Sequence, residues 1–176
     1  MAAKTFKQGS LVSFDVQEAE KDPAHLKPAV LYAPGPRESF NTAAVTRDAL
    51  VVTTLENVRG RAFVYRPRPH GAWQYTRLNL PDDVTIGIAD TSLHGDRTFL
   101  SVTGFLQPSS LWLADVTGNA PTAGTPTMVK ALPPKFDASH LTVEQFEARS
   151  SDGTRVPYFV VHPRQMKLDG GNPTIL

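Results

Sequence analysis

Cysteine is absent from the 176 residues. That rules out a disulfide framework and a thiolate metal site. It suits a reducing cytosol or a bacterial envelope protein without bridges, and does not choose between them. Excess charge of one sign is missing too: 18 Lys and Arg stand against 17 Asp and Glu. With no basic run and no acidic tail, neither a nucleic-acid surface nor an anionic-membrane surface is expected. No apolar run reaches the length of a membrane helix. The stretch Met1–Lys7 has no apolar core of a signal peptide, and no lipidation signal is evident.

Catalytic motifs are equally scarce. No Gly-x-Ser-x-Gly is present to make a nucleophile elbow. No phosphate-binding glycine pattern and no His-Glu-x-x-His occurs. His25, His70, His94, His140 and His162 have no metal-ligand spacing and read as surface or loop residues. No residue is therefore assigned a catalytic, cofactor-binding or metal-binding role, and no cofactor is implied. Asp152 and Asp169 read as turn residues, whose short side chains bond their own backbone. Asp15, Asp90 and Asp115 sit at expected strand ends and read as turn caps. Trp73 and Trp112 read as packing residues. Arg37 and Glu38 follow Pro34-Gly35-Pro36. Their simplest reading is an exposed ion pair; the alternative is that they face a channel or a domain interface.

What the chain does have is 15 Pro and 12 Gly, spread evenly between runs of Val, Thr, Leu and aromatics. This composition points to many short strands and turns. A strand pair is expected over Phe6–Val16, with a turn at Lys7–Ser10. A polar stretch, a loop or short helix, would follow at Glu18–Lys27, and a strand at Pro28–Tyr32. Four strands then follow at Phe40–Thr46, Ala49–Glu56, Arg61–Arg66 and Ala72–Leu80. Four more are expected at Val84–Asp90, Thr98–Phe105, Ser110–Val116 and Thr127–Leu132. Arg47-Asp48 separates the first two strands of one set, and His94-Gly95-Asp96-Arg97 does the same in the other. Phe63-Val64-Tyr65 corresponds to Leu111-Trp112-Leu113. The offset suits one four-stranded propeller blade. Spacing alone fits a two-sheet sandwich equally well.

The last stretch, Leu141–Leu176, contains two apolar-rich runs around Ser151-Asp152-Gly153-Thr154. Asp-Gly between strand-like runs signals a hairpin with a type I′ turn. With Asp152 and Gly153 as that turn, Arg149 pairs Val156, Ala148 pairs Pro157 and Phe146 pairs Phe159. Pro157 then falls in a non-hydrogen-bonded pair, where no N–H is required. The final Pro173-Thr174-Ile175-Leu176 reads as an apolar strand broken off early.

Ser151–Pro157, Phe159-Val160-Val161, Lys167-Leu168-Asp169-Gly170 and Asn172-Pro173-Thr174 together resemble the propeller-to-hydrolase junction of the prolyl oligopeptidase family. These are serine peptidases with a β-propeller and an α/β-hydrolase domain. The likeness is close over about the last thirty residues. Upstream it rests on strand rhythm and on Ala33–Ser39. It implies an all-β fold of antiparallel four-stranded propeller blades plus a C-terminal hairpin. Residues 1–138 would be the last blades and 139–176 the start of a truncated hydrolase domain. It also implies cleavage of short peptides after proline, with the propeller gating access. The serine, aspartate, histidine and an oxyanion-stabilising tyrosine would lie beyond Leu176, so the chain alone would be inactive. Alternatives are a non-enzymatic sandwich-type binding module, or a related oligopeptidase of basic-residue or acylaminoacyl specificity. Blades cut from a ring expose strand edges and apolar faces, so the chain is expected to self-associate.

Overall fold

The computed structural model describes residues 5–118, 125–167 and 169–176. Met1–Lys4 and Leu168, used in the reading above, lie outside the described residues, as does the side chain of His70. Two four-stranded antiparallel meanders form the body. The first contains β3 (Glu38–Val45), β4 (Leu50–Glu56), β5 (Arg59–Pro67) and β6 (Trp73–Arg77), in that spatial order. The second contains β7 (Val84–Thr91), β8 (Arg97–Gly104), β9 (Ser110–Asp115) and β10 (Thr127–Ala131). These are the eight strands the turn chemistry predicts, and they form two propeller-type blades. Ahead of them, β1 (Leu11–Ser13) pairs with β2 (Ala29–Tyr32). A long hairpin, β11 (Leu141–Arg149) and β12 (Arg155–Pro163), closes the chain.

The N-terminal expectation needs correcting. Phe6–Val16 is not a strand pair, because β1 finds its partner in β2 across a short helix, α1 (Val16–Lys21). Asp15 caps that helix by accepting from the Glu18 N–H at 3.0 Å. An acidic side chain so placed satisfies an otherwise orphaned donor, which favours the helix over an extended run. The turn at Lys7–Ser10 holds, with Ser10 N–H donating to the Lys7 carbonyl and Gly9 at φ 80°.

One apolar core joins the blades. Ala49, Val51, Ala62, Val64 and Leu78 of the first pack with Val84, Ile86, Leu100, Val102 and Ala114 of the second. Neither blade could cover that face alone, which is why blades come stacked. Contact is close enough to require glycine at position 60. A Cβ there would lie 2.7 Å from the Ile86 nitrogen and the Val84 oxygen.

The burial patterns record which faces are covered. In β4, Val51, Val52, Thr53 and Thr54 are all buried, so this strand is covered on both sides. In β8, buried Thr98, Leu100 and Val102 alternate with exposed Ser101 and Thr103. That is the period of a sheet covered on one face only. Trp112 packs at the edge of the core, its Nε1–H donating to Ser110 Oγ at 2.9 Å.

Asp96, whose side chain is 2% exposed, pins the blades together at one end. It accepts from Thr46 Oγ1 at 3.0 Å, from the Asp48 N–H at 2.9 Å and from Arg47 Nη2 at 2.8 Å. The two turns that sequence alignment of the blades placed in equivalent positions are therefore in contact. Burial pushes the Asp96 carboxyl up. Hydrogen bonds from Asp48 and Thr46, with the Arg47 charge, outweigh that and hold it below the usual carboxylate range.

Candidate functional site

Among the described residues no group of three or more His, Asp or Glu could hold a metal ion. His25 pairs with Asp22 at 2.9 Å, and His162 lies 3.6 Å from Glu144. His140 serves through its carbonyl, which accepts from the Arg164 N–H. Asp115, at the end of β9, accepts from the Thr117 N–H and caps a turn as expected. Asp90 instead lies within β7 paired with Phe99, and its carboxylate accepts from the adjacent Thr91 N–H. The arrangement that does bring distant residues together is the seam between the blades and the β11–β12 hairpin.

The hairpin's register is one residue away from the predicted one. Arg149 pairs Arg155, Glu147 pairs Pro157 and Phe146 pairs Tyr158. The loop has three residues, not two. Gly153 N–H donates to the Ser150 carbonyl and Ser150 N–H donates to the Thr154 carbonyl. Only Gly153, at φ 86°, is left-handed, and Asp152 is not. This is a tight turn followed by a left-handed residue, the usual three-residue hairpin, rather than type I′. The Asp152 carboxylate accepts from the Thr154 N–H at 2.9 Å, which suits the three-residue form and holds that carboxyl below its usual range. Pro157 keeps its non-bonded place, because the slip moves the bonded pair and the proline's partner together.

Strand alternation then sorts the hairpin's two faces. Gln145, Glu147 and Phe159 share the face toward the blades. Glu147 receives both Arg37 nitrogens, Nη2 at 3.2 Å, and Arg155 Nη1 at 3.3 Å. Gln145 Nε2 donates to the Asn57 carbonyl at 2.7 Å. The Phe159 ring sits 5.1 Å from that of Phe105. On the opposite face Phe146 stacks on Tyr158 at 5.7 Å, and both rings are largely exposed, as is Val156.

Arg37 is therefore no partner of Glu38. Glu38 turns back on its own segment, accepting from the Gly35 N–H at 2.8 Å and from the Tyr32 hydroxyl at 3.5 Å. Burial, then the Glu38 charge, pushes that tyrosine up to about 12. With Glu38 folded back, Arg37 is free to cross the seam. The simple surface pair does not form; Arg37 instead reaches Glu147 of the hairpin.

The blade side of the seam is a turn that sequence reasoning missed. Glu56 pairs Arg59, so Asn57 and Val58 alone connect β4 to β5. Both have positive φ, 49° and 64°. This is the type I′ loop, with valine where glycine is preferred. A left-handed β-branched residue is a genuine outlier and costs about 1–2 kcal/mol. Asn57 is the signal available for this turn, but the expected strand starts only at Arg61, whereas β5 starts at Arg59.

Among solved structures, a post-proline cleaving enzyme from Rickettsia typhi superposes with TM-score 0.75 at 24% identity, over 97% of this chain and 24% of that one. Prolyl oligopeptidase B from Galerina marginata superposes at 0.69 with 20% identity, over 92% of this chain and 21% of its own. No protein-family model matches. An uncharacterized peptidase of Sinorhizobium fredii is 37% identical over 173 residues, covering 97% of this chain and 23% of that protein. An uncharacterized peptidase of Rickettsia prowazekii is 30% identical, with the same two coverages. The chain is similar over nearly its whole length to peptidases and shares its fold with prolyl oligopeptidases.

It spans 23% of the length of both curated relatives. The described residues form two blades, a short N-terminal strand pair and a terminal hairpin.

Proposed function

We propose that this chain forms the last blades and the domain junction of a serine oligopeptidase that cleaves short peptides after proline. Residues 1–138 belong to the propeller and 139–176 open the hydrolase part. The catalytic serine, histidine and aspartate come from elsewhere in the protein, in the division of labour usual for a triad. The blades act as wall and filter, restricting entry to small substrates. The observation that carries this reading is the match to a peptidase over 173 residues, which covers 97% of the chain and so takes in both blades and the hairpin. The exposed Phe146, Tyr158 and Val156 suit the reading, since a further layer of the hydrolase part would cover them.

The test is hydrolysis by the whole protein of a Gly-Pro reporter against an Arg reporter. Faster cleavage of the proline reporter, and none by these 176 residues alone, is expected. Preference for the Arg reporter, or hydrolysis by this chain alone, would overturn the reading. Phe105 and Met128, in and beside the second blade, are each more than half exposed, which leads us to expect self-association of the isolated chain. Light scattering showing a sharp monomer would contradict that.

A further inference from the structure

A turn that had only to reverse the chain between β4 and β5 would take glycine at its second central position without strain. Val58 stands there at φ 64°. Its side chain is half exposed and absent from the blade core. It lines a cavity of about 360 Å³ with Phe105 and Phe159, one wall from the second blade and one from the hairpin. Asn57 beside it is held on both sides of its backbone. Its N–H donates to the Arg37 carbonyl at 2.7 Å, and its carbonyl accepts from Gln145 Nε2 at 2.7 Å. Arg37 completes a closed circuit through its guanidinium to Glu147, two residues along β11 from Gln145. The Asn57–Arg37 bond extends the β3–β4 register one pair beyond Glu38 and Glu56, whereas the Gln145 bond and the Arg37–Glu147 pair reach the hairpin and lie outside the ladders of the first blade.

We propose that the Asn57–Val58 turn is a positioning device that seats the β11–β12 hairpin on the blades. The strained backbone holds an apolar side chain and a fixed carbonyl where the hairpin needs them. Strain is retained where surrounding contacts over-determine it, and here the Gln145 bond and the Phe159 wall are added by the hairpin to what the first blade supplies. Given the proposed function, on which this last step rests, the turn sets where the hydrolase part begins relative to the propeller.

The test is amide hydrogen exchange in the intact protein, comparing Val58→Gly and Val58→Ala with the unaltered protein. Val58→Gly removes the strain and the apolar wall together. It should leave the thermal midpoint unchanged or raised, while exchange across β12 speeds up about tenfold and that of Val51–Thr53 stays as it was. Val58→Ala keeps the strained backbone and loses most of the wall, so it should loosen β12 similarly with a lowered midpoint. Unchanged β12 exchange in both variants would overturn the proposal. So would loosening spread equally over blades and hairpin. The exchange readout needs no catalysis. Absence of proline cleavage would therefore count against the proposed function alone, and β12 exchange would still decide the seating role.

Discussion

Two seams run through this molecule, and they are built from different forces. Between the blades, Val51, Val64, Ile86, Leu100 and Val102 meet in a dry core, with Gly60 letting one backbone approach another. Between blades and hairpin, one aromatic contact accompanies a carboxylate shared by two arginines and an amide on a carbonyl. Apolar burial is short-ranged and insensitive to salt, whereas partly exposed ion pairs are screened. The blades should therefore behave as one cooperative body, and the hairpin as a layer fastened to it by contacts that can be released separately.

The comparison can be broken most forcefully in the core. Leu100 is fully buried among both blades, and Leu100→Ala should cost about 3 kcal/mol in denaturant unfolding. It should lower a single transition, not split it in two. Gly60→Ala should follow at about 2 kcal/mol, because the new methyl meets backbone atoms that cannot rotate away. A smaller loss would mean the blades can slide apart.

Asp96→Ala removes the buried pin and leaves the Thr46 hydroxyl and Asp48 N–H without their acceptor, for about 1.5 kcal/mol. The folded carboxyl titrates below its ordinary value, so its contribution is complete above about pH 4 and is lost as pH falls through the folded pKa. The thermal advantage of the unaltered protein over Asp96→Ala should narrow below that pH. An advantage unchanged in acid would contradict the assignment. Gly153→Val forces a β-branched residue to a φ of 86°, at about 1 kcal/mol. That loss should appear in hairpin exchange before it appears in global melting.

Strand positions were largely legible because Pro, Gly, Asn and Asp punctuate runs of Val, Thr and Leu. All eight blade strands start within two residues and end within three of their expected limits, Trp73–Arg77 departing most. The polar character of the hairpin tip was legible too, through Asp152 and Gly153. Its register was not, since Asp-Gly serves both a two-residue and a three-residue loop, and the choice lies with the flanking ladder. The seam was the least legible part. Arg37 and Glu147 are 110 residues apart, and no local pattern joins them. Asn57-Val58 lacks the glycine that announces such a turn, and the contacts that the hairpin adds to hold its strain come from the far end of the chain.

The claim that one seam is apolar and the other polar is tested most directly by native-state hydrogen exchange at low and high salt. Salt, or Arg37→Ala, should lower the opening free energy of β11–β12 by about 0.5 kcal/mol, as for a partly exposed ion pair. The core strands β4 and β8 should keep theirs. Hairpin and blades opening together, with no response to salt or to Arg37→Ala, would contradict the account.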